Sequence, residues 1–353
     1  MWFHIRRRFH SSKVYGNDLF EANRAVRCIL PWLTRHDKDA ASITARPYTM
    51  KQTFYSNGKL LLTGEYVVLD GAKALALPTK FGQDLVVETG AGSKIDWKSF
   101  DSDGSIWFEG NISFEEIINK TIGNEPSVRN TLIELIHHGY LLNPDFIKIS
   151  QGYKVETHLT FPKFWGLGTS STLINNIAQW LGIDAYKLLN NSFGGSGYDI
   201  ACAQNNSPII YRLSDGKPLV EKIDFNPAFS QNLYFVYLNR KQSSKAAIAS
   251  YYKNSVSDLA KKITAIDRIT DVVSVTDNPG IFARELEKHE TILSDILEMQ
   301  TVKESFFSDF SGVVKSLGGW GGDFVLAMSR ENPTEYFKQR GFGTVLPYSE
   351  MIL

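Results

Sequence analysis

The chain is poor in the features that announce several protein classes. Its 353 residues include two cysteines, Cys28 and Cys202, a number and spacing that exclude a disulfide framework and a cysteine-based zinc site. No apolar run approaches the ~18 residues that a membrane-spanning helix needs. Charge of one sign is also missing: 38 Lys+Arg balance 38 Asp+Glu. Nucleic acid and anionic membranes usually need a basic face that shows in this balance, so neither is expected as a partner. What remains, with 43% hydrophobic residues, is a globular protein of one to three domains with a core of ordinary size, expected in the cytoplasm.

The even balance hides an asymmetry. Residues 1–49 hold nine basic and four acidic residues, a net +5, and the remainder carries the compensating −5. The opening MWFHIRRRFHSSK is basic, rich in hydroxyls and free of acids, a composition shared with organellar transit segments. A plainer reading is upstream sequence read through from an early start, because strand-and-turn patterning begins abruptly at Met50. Residues 1–49 are therefore expected to be a dispensable, poorly ordered extension.

From Met50 onward strand-like and helix-like stretches alternate, which argues for an α+β protein. KLLLTGEYVVLDG reads as a strand, a Gly-Glu turn and a second apolar stretch, and LALPTKFGQDLVVETG as further strands. Residues 93–110 alternate around a Ser-Asp-Gly turn and predict a hairpin. SVRNTLIELIHHGYLLN predicts a helix ending near Asn143-Pro144, and KVETHLTFP a strand that stops by Pro162. TLINNIAQWLG predicts a helix closed by glycine. NSPIIYRL, NLYFVYL, FVLAM and the segment near FGTVLPYS read as strands, and helices are expected near 244–268 and 279–300. The turn formers of 214–230 mark the best domain boundary, dividing an expected domain 50–220 from another at 221–353.

Four segments carry the chemistry. In Pro162-x-x-x-Gly166-Leu167-Gly168-Thr169-Ser170-Ser171 the glycines let backbone N–H groups converge. The helix that follows adds unpaired donors and a positive dipole end, and the hydroxyls add ligands for phosphate or magnesium. No lysine follows the second glycine, so this is not a Walker A loop. Alone, the segment also reads as a strand-to-helix turn with a Ser/Thr N-cap. Gly194-Gly195-Ser196-Gly197-Tyr198-Asp199 presents a carboxylate after a flexible turn. There it can orient or deprotonate an attacking oxygen in phosphoryl transfer, although in isolation such an Asp is more often a helix cap. Ser316-Leu317-Gly318-Gly319-Trp320-Gly321-Gly322-Asp323 spends backbone entropy on four glycines in five positions, which implies close backbone approach or positive φ. Gly58-Lys59 places a lysine at the mouth of a buried strand.

Together, and in this order, these segments resemble the three motifs of the GHMP kinases. GKLLLTGEY looks like the first, P-x-x-x-GLGTSS the second and GGWGGD the glycine-rich third, over essentially Met50 to the C-terminus. The resemblance implies a two-domain α+β fold: an amino-terminal domain like the second domain of ribosomal protein S5 and a ferredoxin-like carboxy-terminal one. It implies ATP and Mg2+, with Gly166, Leu167, Gly168, Thr169, Ser170 and Ser171 around the phosphates and Ser170 and Ser171 at the metal. It implies Asp199 as base or orienter of the acceptor, with Lys59 neutralising developing charge. On the substrate side it places Lys59, Ser196, Gly197, Ser243, Ser244, Lys245, Gly319 and Gly321. A homodimer is compatible with it.

Within the family, GSGYDIA and the Asp ending GGWGGD lean toward phosphomevalonate kinases. The absence of a Glu about a dozen residues before Asp199, where Leu188 lies, leans the same way. The implied acceptor is thus 5-phosphomevalonate in the mevalonate pathway of isoprenoid biosynthesis. Mevalonate, another small hydroxy substrate, a diphosphomevalonate-decarboxylase chemistry and a catalytically silent nucleotide-binding relative are the alternatives. Tyr66, where mevalonate and galactose kinases more often show His, leans the same way as GSGYDIA, while the chain departs from the family pattern at Asn57, commonly proline, at Thr169 and Thr172, usually Ser and Ala, and at Trp320, normally a small residue, where a narrowed substrate pocket or packing on the sheet would explain the bulk.

Overall fold

The structure, a computed structural model, describes residues 51–240, 251–252 and 258–353. The extension 1–49 lies outside them, as do Ser243, Ser244, Lys245 and most of the amino-terminal half of the helix expected over 244–268. The strands are β1 Gln52–Leu61, β2 Ala74–Thr89, β3 Lys94–Phe100, β4 Ile106–Ser113, β5 Tyr153–Leu159, β6 Ile209–Ser214, β7 Lys217–Lys222, β8 Leu233–Tyr237, β9 Val313–Ser316, β10 Phe324–Met328 and β11 Val345–Pro347. The helices are α1 Phe114–Asn119, α2 Val128–Leu142, α3 Asp145–Lys148, α4 Thr169–Leu181, α5 Ala185–Ser192, α6 Tyr198–Ala203, α7 Leu259–Val273, α8 Pro279–Leu297, α9 Val302–Phe306, α10 Thr334–Gln339 and α11 Tyr348–Met351.

Local chemistry accounts for many boundaries. Ser113 and Glu116 close a reciprocal capping box on α1, and Thr301 and Glu304 do the same on α9. Asn278 caps α8 with Pro279 at its first position, where the missing N–H costs nothing. Gly182 ends α4 at φ 63, the left-handed conformation that glycine adopts most cheaply.

Seven strands form one sheet in the order β4-β3-β5-β2-β6-β7, with β1 paired to β2. Only the β3–β5 pair is parallel. LALPTKFGQDLVVETG is one sixteen-residue strand rather than several. Its length lets it carry β1 on one edge, with β5 and β6 paired to its two halves on the other. The apolar stretch after Gly64-Glu65 is a 3₁₀ turn, Val67–Asp70, and not a strand. The segment 214–230 also differs from expectation, because β7 hairpins onto β6 and the sheet runs through Lys222, past the boundary placed at 220/221. Polar turn formers hid a short exposed edge strand whose pairing partner does not show in its own composition.

The second sheet is antiparallel in the order β11-β8-β10-β9. The described residues lie within one compact unit. One face of the first sheet packs Leu85, Val87, Trp97 and Val155 against Ile133, Ile136, Ile174 and Ile177 of α2 and α4. A second cluster joins Leu60, Leu75 and Leu77 to Phe235 and Leu326 of the second sheet and to Ile266, Phe282 and Leu293 of α7 and α8. The alternation of β8 and β10 then sends Val236, Val325 and Ala327 to the opposite face, against Phe307 and Phe337. Among the described residues no helix is long and apolar enough to cross a membrane.

Candidate active site

Lys59 is placed by a break in strand pairing. Asn57 faces Gly82, yet Lys59 faces Pro78, so the β1–β2 register slips between them. Pro78 has no N–H to offer a ladder, and irregularities gather at such positions. At the slip the Lys59 backbone N–H donates to the carbonyl of Leu167 at 2.9 Å, tying β1 to the second-motif loop. Gly58 makes this approach possible, since a Cβ there would lie 2.6 Å from Thr79 Oγ1 and 2.9 Å from the Leu167 oxygen.

The loop itself is anchored by Trp165, whose ring meets Phe81 of the first sheet and Phe324 of the second edge-on at centroid distances of 5.5 and 5.4 Å. Tyr237 on β8 donates from its hydroxyl to the Phe164 carbonyl. Gly166 and Gly168 then turn at φ 69 and 98. The alternative reading of this segment, a Ser/Thr N-cap, is not what is found, for Gly168 occupies the N-cap of α4 and no side chain caps the helix. Ser171 turns its buried hydroxyl back to the Gly168 carbonyl at 2.9 Å, and Thr172 bonds Gln83 at 2.7 Å. Thr169 is half-buried and Ser170 exposed. The Leu167 side chain is in the core, so this residue has only its backbone to offer a ligand.

Asp199 is not a helix cap either. Gly197, at φ 87, is the N-cap of α6, and Asp199 sits in the first turn with its carboxylate 3.4 Å from Lys59 Nζ. The side chains are 11% exposed for Lys59 and 30% for Asp199, so the pair is largely shielded but reachable. Lys59 Nζ also donates to the Gly166 carbonyl at 3.3 Å and lies 5.7 Å from the centre of the Tyr198 ring. Burial opposes its charge, but the Tyr198 oxygen, Asp199 and Asp323 more than offset that and hold its pKa above the usual lysine value. Small residues let α6 sit close to the sheet: Ala201 and Cys202 pack with Leu61, Ala74, Ala76 and Ile209. Burial pushes the Cys202 thiol well up, so it is a packing residue and not a nucleophile.

Ser196 and Gly197 are buried beside Lys59's partner, and the Ser196 carbonyl accepts from the Tyr211 hydroxyl. A Cβ at Gly197 would press on Tyr186 and Tyr211 at 3.1 Å. In the third motif Gly318 and Gly321 take positive φ with open space around them, and Gly319 accepts from the Gly322 N–H. Trp320 is not a pocket wall: it is buried in the core, its backbone N–H donating to the Tyr66 hydroxyl at 2.8 Å and its indole N–H to Gln300.

Asp323 was not among the candidate residues, although the Asp closing GGWGGD was the signal for it. Its carboxylate lies where a Cβ of Gly166 would be, 2.2 Å from that position, and it acts on Lys59. All three motifs therefore meet around one ammonium: Lys59 from the first, Gly166 and Gly168 from the second, Asp323 from the third, with Asp199 completing the group.

No protein-family model matches the chain, and no curated protein sequence matches it. Solved structures do. The mevalonate kinase of Methanococcus jannaschii superposes with a TM-score of 0.58 at 17% identity, covering 85% of this chain and 97% of that one. The phosphomevalonate kinase of Streptococcus pneumoniae, solved with phosphomevalonate and AMPPNP, gives 0.59 at 16%, covering 82% and 95%. The galactokinase of Lactococcus lactis, solved with galactose, gives 0.58 at 13%, covering 82% and 88%. The architecture found here, with its two sheets and the loop between them, is thus the fold of the GHMP kinases.

Proposed function

We propose that this protein is an ATP-dependent small-molecule kinase of the GHMP type that phosphorylates 5-phosphomevalonate to 5-diphosphomevalonate. The observation that carries the reading is the Lys59–Asp199 pair at 3.4 Å, held beside the glycine turn and the uncapped amino end of α4. An open helix start of thirteen residues offers N–H donors and a positive dipole end to phosphate. In phosphoryl transfer most of the catalysis is positioning and charge neutralisation, which is what such a set of groups supplies.

In this reading the ATP phosphates lie on the backbone of Gly166–Gly168 and on Thr169, Ser170 and Ser171. Lys59 neutralises charge, Ser196, Gly197, Gly319 and Gly321 serve the acceptor, and the resemblance assigns Ser243, Ser244 and Lys245, outside the described residues, to the same task. The oxygen donors fit a hard cation, and magnesium bound with the nucleotide by the Ser170 and Ser171 hydroxyls would neutralise the phosphates. A phosphate acceptor oxygen arrives ionised and has no proton to give, so with that acceptor Asp199 works through Lys59, holding the ammonium that meets the oxygen. A hydroxyl acceptor would need Asp199 to take its proton.

Support for phosphomevalonate comes from GSGYDIA and the Asp323 that closes the third motif. Mevalonate is the second reading, favoured by a superposition on mevalonate kinase of 0.58 against 0.59 on phosphomevalonate kinase. A coupled ADP-release assay on the full chain, with mevalonate and 5-phosphomevalonate side by side, separates them. Turnover of phosphomevalonate alone supports the first reading, and turnover of mevalonate alone replaces it with the second. Silence on both, with ATP still bound, removes the pathway.

A further inference from the structure

Two residues ahead of Lys59, the dipeptide Ser56-Asn57 makes polar contacts unusual for an edge strand. The Asn57 side chain, 6% exposed, donates at 2.8 Å to the Asn205 carbonyl and at 2.7 Å to Asn206 Oδ1. Both acceptors belong to the turn that ends α6, the helix whose first turn carries Asp199. Asn205 in turn donates from its side chain to the Ala201 carbonyl, inside α6. The buried Ser56 hydroxyl donates to Asn176 at 2.7 Å and accepts from Asn175 at 2.8 Å, both on α4. Gln204, at the end of α6, closes the circuit by donating to Asn175 at 3.0 Å.

One dipeptide on β1 thus bonds to α4 and to the turn that follows α6, the two helices that flank Lys59. The Ser56 bonds are buried and those of Asn57 and Gln204 partly so, and side-chain bonds in such settings are costly to leave unmade, so the arrangement resists small shifts of one element against another. Lys59 itself stands only two residues along the same strand, across the register slip. The distance between Lys59 and Asp199 is then set less by the ion pair, which is long at 3.4 Å, than by the scaffold holding the two backbones.

We propose that Asn57 is a positioning residue: by bonding the turn after α6 to β1 it holds Asp199 at its working distance from Lys59. The proposal rests on the kinase reading above for its catalytic consequence, though the clamp itself does not. It also accounts for the departure at a position commonly occupied by proline, since proline has no side-chain donor to reach Asn205 and Asn206.

The test is a double-mutant cycle on the full chain. Asn57→Leu, of similar size but without donors, is expected to lower kcat about 10–100-fold with the KM for ATP changed less than about threefold, the pattern of lost transition-state alignment. In an Asp199→Asn background the same change should cost less than about threefold, because there is no carboxylate left to align. Equal losses in both backgrounds, or an unchanged kcat, would overturn the proposal. Asn206→Ala, at an exposed position, removes one acceptor without threatening the fold and should show the same non-additivity at smaller size. Independently of turnover, hydrogen exchange in Asn57→Leu should accelerate about tenfold or more at the α6 amides of Ile200, Ala201 and Gln204 while α2 is unchanged. Unchanged α6 exchange would refute the clamp, whereas absent turnover in the unmodified protein would refute the kinase reading alone.

Discussion

Lys315 offers a sharp test of how the first and third motifs are joined. It lies on β9, 0% exposed, with Nζ 2.5 Å from Glu65 Oε1, 2.6 Å from the Ser316 carbonyl and 3.2 Å from Glu290 Oε1. Glu65 follows the first-motif glycine and Glu290 is on α8, so one ammonium serves two buried carboxylates. Burial raises Glu65 from 4.5 to about 7, with Lys315 pulling the other way. His289 completes the cluster as a neutral ring, its Nε2 accepting from the Gly64 N–H and its pKa pushed far down by burial and Lys315.

Since the folded pKa of Glu65 lies above its unfolded value, the native state keeps a proton that the unfolded chain releases. Its contribution to stability is full below pH 4.5 and is lost as pH rises through about 7, which over 2.5 units amounts to roughly 3 kcal/mol. Lys315→Met removes the counter-charge and should cost about 3–5 kcal/mol where the carboxylates are ionised. At ~2 cal/mol/K per residue over this body, that is about 5–8 °C in Tm. At lower pH Glu65 can protonate instead, so the penalty should shrink. Thermal unfolding of both proteins at pH 6 and pH 8 measures this: the Tm deficit is expected to be larger at pH 8. A deficit equal at both pH values, or larger at pH 6, would refute the argument that the ammonium is there to hold buried negative charge.

Other expectations are simpler. Asp199→Asn should lower kcat about 10²-fold through lost alignment with a phosphate acceptor, and up to about 10⁴-fold with a hydroxyl acceptor that needs a base, while costing about 1 kcal/mol of stability or less, because its side chain is 30% exposed and the pair is long. Steady-state kinetics beside urea unfolding would check it, and a stability loss matching the kinetic one would remove Asp199 from the chemistry. Gly166→Ala adds a Cβ 2.2 Å from the Asp323 carboxyl carbon at φ 69, so nucleotide affinity measured by calorimetry should fall at least tenfold. Normal affinity would mean that the loop and Asp323 adjust freely. Tyr66→Phe leaves the Trp320 N–H without its acceptor and should weaken acceptor KM more than ATP KM, about 1–3 kcal/mol being at stake. Parallel changes in both constants would place the effect elsewhere.

The sequence by itself determined what short-range chemistry controls. The hairpin of β3 and β4, the helix of α2 from its Ser127 cap, the glycine end of α4 and the strands β6, β8 and β10 follow from periodicity and turn residues within a few positions. The order of the three motifs announced the GHMP fold, and Lys59 and Asp199 were both legible as candidates. Tertiary structure decided how they meet, through contacts between residues far apart in sequence that no local pattern encodes. Asn57 reaches Asn206 and the Lys59 N–H reaches Leu167, while the Trp320 N–H reaches the Tyr66 hydroxyl. The same remoteness hid β7, whose exposed residues resemble a loop until β6 supplies its hydrogen bonds. The capping alternatives fail for a related reason: Ser/Thr and Asp favour caps when only the local chain is considered, but here Gly168 and Gly197 take those places. Positive φ at the two glycines turns the chain closely enough to leave the Gly166 carbonyl and the Asp199 carboxylate facing one ammonium.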